Sequence, residues 1–262
     1  MNPAQLTQMV EAKLKELAIE TDDVKKSDFF QKYLDTMSKF WKYSYQNQLL
    51  IHCALPSASR VAGFRGWQSL GRSVKKGEKA IKILAPVVQE EEVVNFIPVN
   101  VFDVSQTEGA ELPDVDIELQ GNDAEQLYET LVWLCHSKNI KLELQKLGVN
   151  GLYGYSKGGK IIIAEDGGYN MRTNTLIHEI AHELLHYSEE GKKLSKQQQD
   201  IQAEATAYVV GKHFGLETKS FNYLALYDAD YKKIMDNLEA VSSAVKEVIG
   251  FANQIDEYSL SK

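Results

Sequence analysis

The spacing of hydrophobic residues predicts helices in three parts of the chain, within residues 1–20, 27–54 and 230–255. In each part apolar side chains recur every three or four positions, which places them on one face of a helix. The stripes are Leu6, Val10, Leu14 and Leu17; Phe30, Leu34, Met37 and Trp41; and Ile234, Leu238, Val241, Val245 and Val248. We interpret all three stripes as core-forming faces and not as ligand sites.

Runs of β-branched residues predict strands between these helices. Residues 80–88 and 93–104 form two such runs, which we expect to pair across the acidic turn at 90–92. Residues 151–159 and 160–164 predict two further short strands joined by a glycine-containing turn. The pattern therefore predicts an α+β fold, with helices and a small antiparallel sheet first and a second small sheet with helices after it.

A chain of 262 residues is long enough for one or two domains. Residues 109–122 contain Pro, Asp and Gly and few aromatic residues, which is typical of a linker. We therefore expect domains at 1–115 and 120–262.

The sequence also bears on location. There is no run of about 18 apolar residues, so we expect no membrane partner, and the first residues do not resemble a secretory signal. Cys53 and Cys135 are isolated in sequence and fit neither a zinc motif nor a disulfide framework. We expect them to be reduced, buried thiols in a cytoplasmic protein.

The most informative motif is the H-E-x-x-H pattern of His178, Glu179 and His182. Histidines four positions apart lie on one face of a helix and can bind one Zn²⁺, while the adjacent glutamate can act as general base on a zinc-bound water. Thr173 or Asn174 is suited to cap the start of this helix. The alternative interpretation is a chance occurrence of two His and a Glu on an ordinary helix.

A catalytic zinc site needs a third protein ligand. Glu204 is our candidate, because it lies among alanines in a segment (202–211) that predicts a helix able to approach the first one closely. Asp200 and Glu183 are weaker rivals, because Asp200 lies at the predicted helix start and suits capping. His186 lies about 12 Å along the axis from His178, too far for one ion to bridge. We expect it to support the site, to line the cleft, or to be a cation at the helix end.

A basic stretch lies between residues 38 and 88, with nine Lys or Arg residues against one acid, Glu78. Aromatic residues, among them Tyr43, Phe64 and Trp67, are interspersed with these cations. Cations that follow phosphates and rings that stack on bases are typical of surfaces for single-stranded nucleic acid. The alternative is a solvated basic face with Phe64 and Trp67 in the core.

Several segments together resemble a known family. They are Tyr43-Ser-Tyr-Gln-Asn47-Gln-Leu-Leu-Ile51, Val61-Ala-Gly-Phe64 with Trp67, Leu70-Gly-Arg72, Val74-Lys-Lys-Gly-Glu-Lys79, Ile81-Lys-Ile-Leu-Ala-Pro86 and Val101-Phe-Asp-Val-Ser-Gln-Thr-Glu-Gly109. Their order resembles the single-stranded-DNA-binding domain of ArdC-type antirestriction proteins. The second half, through the H-E-x-x-H motif and Glu204, is similar to zincin-like metallopeptidases of the ImmA/IrrE class.

The resemblance implies a zinc metallopeptidase of a mobile genetic element that acts on an unidentified protein near single-stranded DNA. The expected metal ligands are His178, His182 and Glu204, with Glu179 as the catalytic base. The expected DNA contacts are Tyr43, Asn47, Arg60, Arg65, Trp67, Arg72, Lys75, Lys76, Lys79 and Lys82. Two alternatives stay open: an antirestriction protein that binds single-stranded DNA without proteolysis, its zinc site structural or vestigial, and a repressor-cleaving protease that does not depend on DNA.

Overall fold

The computed structural model describes residues 1–20, 23–90, 92–111, 123–148, 152–216 and 231–260. The chain splits into two compact units. The first comprises Met1–Asp116 with Tyr227–Met235, and the second comprises Ile117–Leu226 with Asp236–Lys262. Both units combine helices with small sheets, so the α+β prediction is confirmed at this level.

Four helices belong to the first unit: α1 (Pro3–Ile19), α2 (Asp23–Lys39), α3 (Tyr45–Ala54) and α4 (Phe64–Ser69). The first predicted stripe is fully buried on α1, and three of the four residues of the second are buried on α2. The single helical region predicted at 27–54 is instead two helices. The second of these starts anew because the Ser44 side chain accepts a hydrogen bond from the Asn47 backbone, which caps α3.

The strands of the first unit form two antiparallel sheets. They are β1 (Val61–Gly63), β2 (Arg72–Val74), β3 (Ile81–Gln89), β4 (Glu92–Asp103) and β5 (Thr107–Gly109). One sheet has the order β1-β4-β3, and the other pairs β2 with β5. The long β3–β4 hairpin is the pair predicted across the acidic turn, which confirms that prediction.

The second unit contains a three-stranded sheet and helices. Its elements are α5 (Asp123–Ser137), β6 (Lys141–Gln145), β7 (Gly154–Ser156), β8 (Lys160–Ala164), α6 (Tyr169–Leu185), α7 (Lys196–His213) and α8 (Tyr231–Leu260), whose first residues belong to the first unit. The strand order is β6-β8-β7, with β7 antiparallel and β6 parallel to β8. The β7–β8 pair and the stripe of α8 were predicted; the parallel strand β6 was not.

Two predicted helix starts are wrong, and both errors bear on the site. Helix α6 begins at Tyr169, so Thr173 is not its cap but a buried residue whose hydroxyl donates to the Ala124 carbonyl at 2.9 Å. Helix α7 begins at Lys196, capped by Ser195, so Asp200 lies one turn inside the helix. The capping role that made Asp200 a weaker ligand candidate therefore does not apply.

Three other expectations concern the linker, the two cysteines and membrane-spanning helices. Of the expected linker, Gly109 lies in β5 and residues 112–122 fall outside the described part of the chain. Cys135 is buried, which raises the pKa of its thiol to about 12, whereas Cys53 is exposed, contrary to expectation. None of the described helices is long and apolar enough to cross a membrane.

Candidate metal centre and basic surface

Helix α6 presents the two motif histidines to each other. The Nε2 atoms of His178 and His182 lie 3.1 Å apart, and both side chains are partly buried. The four-residue spacing puts them one above the other on the same face of the helix, as the motif predicts. Two imidazole nitrogens that face each other at this distance form a pair of potential metal ligands.

Helix α7 brings two carboxylates to this pair. An Asp200 oxygen lies 3.6 Å from His182 Nε2, and a Glu204 oxygen lies 3.2 Å from His178 Nδ1. Small buried residues of α7, Ala203 among them, let the two helices pack closely. Asp200 and Glu204 are four residues apart, so both project from the same side of α7 toward α6.

Within the described residues, His178, His182 and Asp200 form a group whose ligand atoms all lie within 4.8 Å of one another. Two imidazole nitrogens and one carboxylate oxygen are the donors that catalytic zinc sites use, and other divalent ions accept them as well. These residues therefore fit a divalent cation. Glu204 contacts the opposite nitrogen of His178, and its role as third ligand stays a prediction.

The pKa values of the two histidines shift in opposite directions because their neighbours differ. Burial lowers the pKa of His182 to about 3, with further lowering from His178 and His186. Burial also acts to lower the pKa of His178, but the hydrogen bond to Glu204 and the nearby carboxylates outweigh it and raise that pKa. The lowered pKa of His182 favours its neutral form, which is the form of imidazole that binds metals.

The glutamate of the motif is buried beside the histidines. Glu179 is 6 % exposed, and burial raises the pKa of its carboxyl group above the ordinary value. The charge of His178 and a hydrogen bond from Ser156 on β7 act in the opposite direction. A carboxylate with a raised pKa next to candidate metal ligands is suited to accept a proton.

Glu183, the other weaker ligand candidate, is committed elsewhere. Its two carboxylate oxygens accept hydrogen bonds from the backbone N–H groups of Gly158 and Gly159, at 2.9 and 2.6 Å. Gly158 has φ of +69° and lies directly against the Tyr187 ring, so a side chain there would clash. Glu183 thus ties the β7–β8 turn to α6.

His186 lies outside the candidate ligand group, as helix geometry predicted. It is buried, its Nδ1 lies 2.9 Å from His182 Nδ1, and its Nε2 lies 3.0 Å from Gln202 Oε1. Burial lowers its pKa, which disfavours the cationic form, and of the three expected roles the supporting one agrees with its contacts. Gln202, Asn237 and Ser156 were missed, because nothing in their sequence spacing relates them to the motif.

Two of the expected DNA contacts are structural residues of the first unit. Trp67 is 2 % exposed, and its indole N–H donates to the Phe102 carbonyl at 2.9 Å. The Asn47 amide donates to and accepts from the Leu84 backbone, both at 2.8 Å. The buried Trp67 ring cannot stack on a base, and the Asn47 amide is occupied by the Leu84 backbone. Neither residue belongs to the surface that we consider below.

Most of the basic residues lie at the surface. Arg65, Lys75, Lys76 and Lys79 are exposed, and Tyr43, Arg60, Arg72 and Lys82 are partly buried. Arg72 on β2 donates hydrogen bonds to Thr107 on β5 and to the carbonyl of Ala110, which follows β5. Phe64, which could have been a core residue, is 50 % exposed on α4. We call the four exposed cations the basic surface.

With this geometry established, comparison with known proteins adds the family context. Residues 3–130 match the family model of the N-terminal domain of anti-restriction factor ArdC. This match confirms the resemblance for the N-terminal half of the chain. It covers α1 to β5 and the first part of α5, and the resemblance of the second half to zincin-like peptidases stays a prediction.

Particular relatives extend the likeness to most of the chain. An uncharacterised protein of Bacillus anthracis, pXO2-81, is 25 % identical over 274 residues, which cover 84 % of this chain and 46 % of that protein. This chain therefore spans about half the length of the curated relative that it matches. The Mn(II)-bound crystal structure of the antirestriction protein ArdC from plasmid R388 is similar, with a TM-score of 0.50 and 14 % identity over 84 % of this chain and 97 % of that one. Its metal-free structure gives a TM-score of 0.49 and 15 % identity over 81 % and 86 %. At this identity the likeness concerns the fold alone.

Proposed function

We propose that the protein is an antirestriction-type protein associated with single-stranded DNA, whose second unit is a divalent-metal-dependent peptidase. The observation that carries the proposal is the convergence of His178, His182 and a carboxylate of α7 beside the buried Glu179. Three groups that can hold a cation, with one beside them that can move a proton, are the set that metal-assisted hydrolysis needs.

The residues of the site have separate tasks in this proposal. His178 and His182 hold the cation with Asp200 or Glu204 from α7. A bound divalent cation supplies Lewis acidity, which polarises a peptide carbonyl and lowers the pKa of water. Glu179 accepts the proton of the attacking water and passes it to the leaving amine. Burial of Glu179 favours this task, since a raised pKa brings its carboxyl group closer to the pH at which it must both take and release a proton.

The identity of the cation is part of the proposal. The sequence predicts Zn²⁺, the usual partner of an H-E-x-x-H motif. The structure of R388 ArdC was determined with Mn(II), so both ions are candidates here. A His₂-carboxylate donor set accepts either of them.

The first unit supplies the proposed link to DNA. Its match to the ArdC N-terminal domain and its basic surface support binding to a polyanion. Exposed Phe64 beside Arg65 adds a ring that can stack on an unpaired base. Covalent linkage to this unit would keep the peptidase near proteins bound to incoming DNA. The plasmid origin of R388 ArdC supports the prediction that the protein belongs to a mobile genetic element.

A second candidate function is protection of DNA without proteolysis. The ArdC match lies in the N-terminal half of the chain and does not bear on hydrolysis, so it agrees with this alternative equally well. In that case the cation would have a structural role. The third possibility is a repressor-cleaving protease that does not depend on DNA. This possibility assigns no function to the basic surface.

Glu179→Gln separates the first two functions. The amide keeps the shape of the side chain but cannot take a proton. We expect the variant to bind metal and single-stranded DNA as the wild type does, and to lose at least about a hundredfold in peptidase rate. The readouts are metal content, oligo-dT affinity and protection of transferred DNA from restriction in cells. Glu189→Gln, an exposed carboxylate near the same helix, is the matched control. Full protection of DNA by Glu179→Gln would establish the non-proteolytic function.

A further inference from the structure

A chain of hydrogen bonds runs from the candidate metal centre into the core of the second unit. His182 Nδ1 lies 2.9 Å from His186 Nδ1, and His186 Nε2 lies 3.0 Å from Gln202 Oε1. The Gln202 amide nitrogen then donates to Asn237 Oδ1 on α8, at 2.5 Å. His186, Gln202 and Asn237 are all less than 9 % exposed, so water does not compete for these contacts.

The Gln202–Asn237 contact determines which atom donates and which accepts in each of these hydrogen bonds. Because Gln202 donates its amide N–H to Asn237, its carbonyl oxygen is the group that faces His186. A carbonyl oxygen only accepts, so the proton of His186 must be on Nε2. A neutral imidazole carries one N–H and one lone pair, which leaves the lone pair of His186 on Nδ1. His182 must then donate from its own Nδ1, and its lone pair is on Nε2.

The proposed role of His182 as a metal ligand requires the same direction at the outer end of the chain. His182 Nε2 is the atom that faces His178 Nε2 and the Asp200 carboxylate. A metal ligand must present a lone pair there, and that is possible only if the proton of His182 is on Nδ1. His178 repeats the arrangement, since its Nδ1 faces the acceptor Glu204. Both histidines therefore direct Nδ1 at an acceptor and Nε2 at the candidate centre.

We propose that His186, Gln202 and Asn237 are positioning residues that hold His182 with its proton on Nδ1 and its Nε2 lone pair directed at the metal centre. The part of this inference that concerns metal affinity rests on the proposed function. The part that concerns the tautomer does not, because the hydrogen bonds exist without a metal. Partners of this kind fix the orientation of ligating histidines and typically change metal affinity about 10- to 100-fold when removed.

Imidazole NMR of the metal-free protein tests the tautomers directly. Long-range ¹H–¹⁵N correlation spectra distinguish a protonated from an unprotonated ring nitrogen. We expect His182 to be protonated at Nδ1 and His186 at Nε2, opposite tautomers on one helix. In Asn237→Leu the Gln202 amide loses its acceptor and can rotate, so both rings should become mixtures. Asn237→Asp can only accept and should keep the wild-type pattern. Protonation of wild-type His182 at Nε2 would overturn the inference.

Metal affinity tests the positioning role. In His186→Leu nothing accepts the Nδ1–H of His182, and we expect Zn²⁺ to bind about 10- to 100-fold more weakly in chelator competition. In His186→Gln the amide can accept from His182 and donate to Gln202, so most of the affinity should return. Ser242→Ala, another buried polar residue of α8, is the control for general loss of packing. Equal weakening in His186→Leu and His186→Gln would contradict a positioning role.

The two measurements also separate this inference from the proposed function. If the wild type shows the expected tautomers but binds neither Zn²⁺ nor Mn²⁺, the metal proposal fails and the tautomer assignment stands. The wild type could instead bind metal and show His182 protonated at Nδ1 only in the metal-bound form. In that case the metal proposal stands, and His186, Gln202 and Asn237 do not position the ligand.

Discussion

In the first unit, buried polar side chains find partners that satisfy them. The Asn47 amide is paired with both backbone groups of Leu84, and His52 Nδ1 lies 2.8 Å from the Thr36 hydroxyl. In the second unit, the hydrogen bonds that run from Asn237 through His186 end at the candidate metal centre. There, the Nε2 atoms of His178 and His182 face each other at 3.1 Å, a contact that two lone pairs make unfavourable unless a proton or a cation lies between them.

Structural and functional polar residues of this protein differ in the direction of their polar atoms. His52 is buried and His182 is partly buried, and burial lowers the pKa of each. His52 is packed among Phe29 and Tyr33, where its one polar contact completes a core. His182 instead directs a nitrogen toward other potential ligands. What distinguishes a site is therefore the direction of its unsatisfied atoms, not burial or a shifted pKa.

The largest expected effect concerns the histidine pair. His178→Ala and His182→Ala each remove one of two nitrogen ligands, and we expect Zn²⁺ affinity to fall by at least about a thousandfold, since a structural metal contact contributes several kcal/mol. Isothermal titration calorimetry with Zn²⁺ and Mn²⁺ measures this. His136→Ala, an exposed histidine of α5, is the control. Wild-type affinity in either variant would mean that the facing nitrogens are not a metal site.

A somewhat smaller effect identifies the third ligand. Asp200 lies with His178 and His182 in the group of close ligand atoms, whereas the sequence pattern favours Glu204. Asp200→Asn and Glu204→Gln keep size and remove charge. The variant of the true ligand should lose about a hundredfold in metal affinity, and the other about tenfold, as expected for a group that orients a ligand. Small and equal losses would show that α7 supplies no ligand.

The pH dependence of stability tests the structural histidine. Burial lowers the pKa of His52 from 6.5 to about 4, with help from Lys13 and Lys32. The unfolded chain therefore takes up this proton first as the pH falls. The stability contributed by neutral His52 is present above pH 6.5 and is lost on the way down to about pH 4, on the order of 3 kcal/mol. Urea unfolding of wild type and His52→Gln should show this loss in the wild type only. A parallel pH profile for the two proteins would assign the effect elsewhere.

The smallest effect concerns DNA. Lys75→Glu with Lys76→Glu reverses two exposed charges of the basic surface. We expect oligo-dT affinity to fall about tenfold and the slope of log K against log salt to decrease by about 0.7 for each lost phosphate contact. Lys192→Glu with Lys193→Glu makes the same change in net charge at an adjacent lysine pair of the second unit. Equal losses in both double variants would attribute binding to net charge alone.

Much of this molecule follows from local patterns. The stripes of α1 and α8, the β3–β4 hairpin and the spacing of His178 and His182 were all predictable, because helical and strand periodicity and the i, i+4 geometry are short-range properties. The resemblance of the first half to ArdC likewise depended on a linear order of motifs, and the family match confirms it.

Other features depend on contacts that are distant in sequence. The basic run predicts surface positions for Trp67 and Asn47, but packing against β3 and β4 buries them. The sequence favours Asp200 as a cap, but Ser195 caps α7, and Asp200 lies one turn inside the helix near His182. Gln202 and Asn237 carry no motif at all. Such roles arise only when helices pack side by side, since the direction of a side chain toward a distant partner is set by tertiary structure and not by its neighbours in the chain.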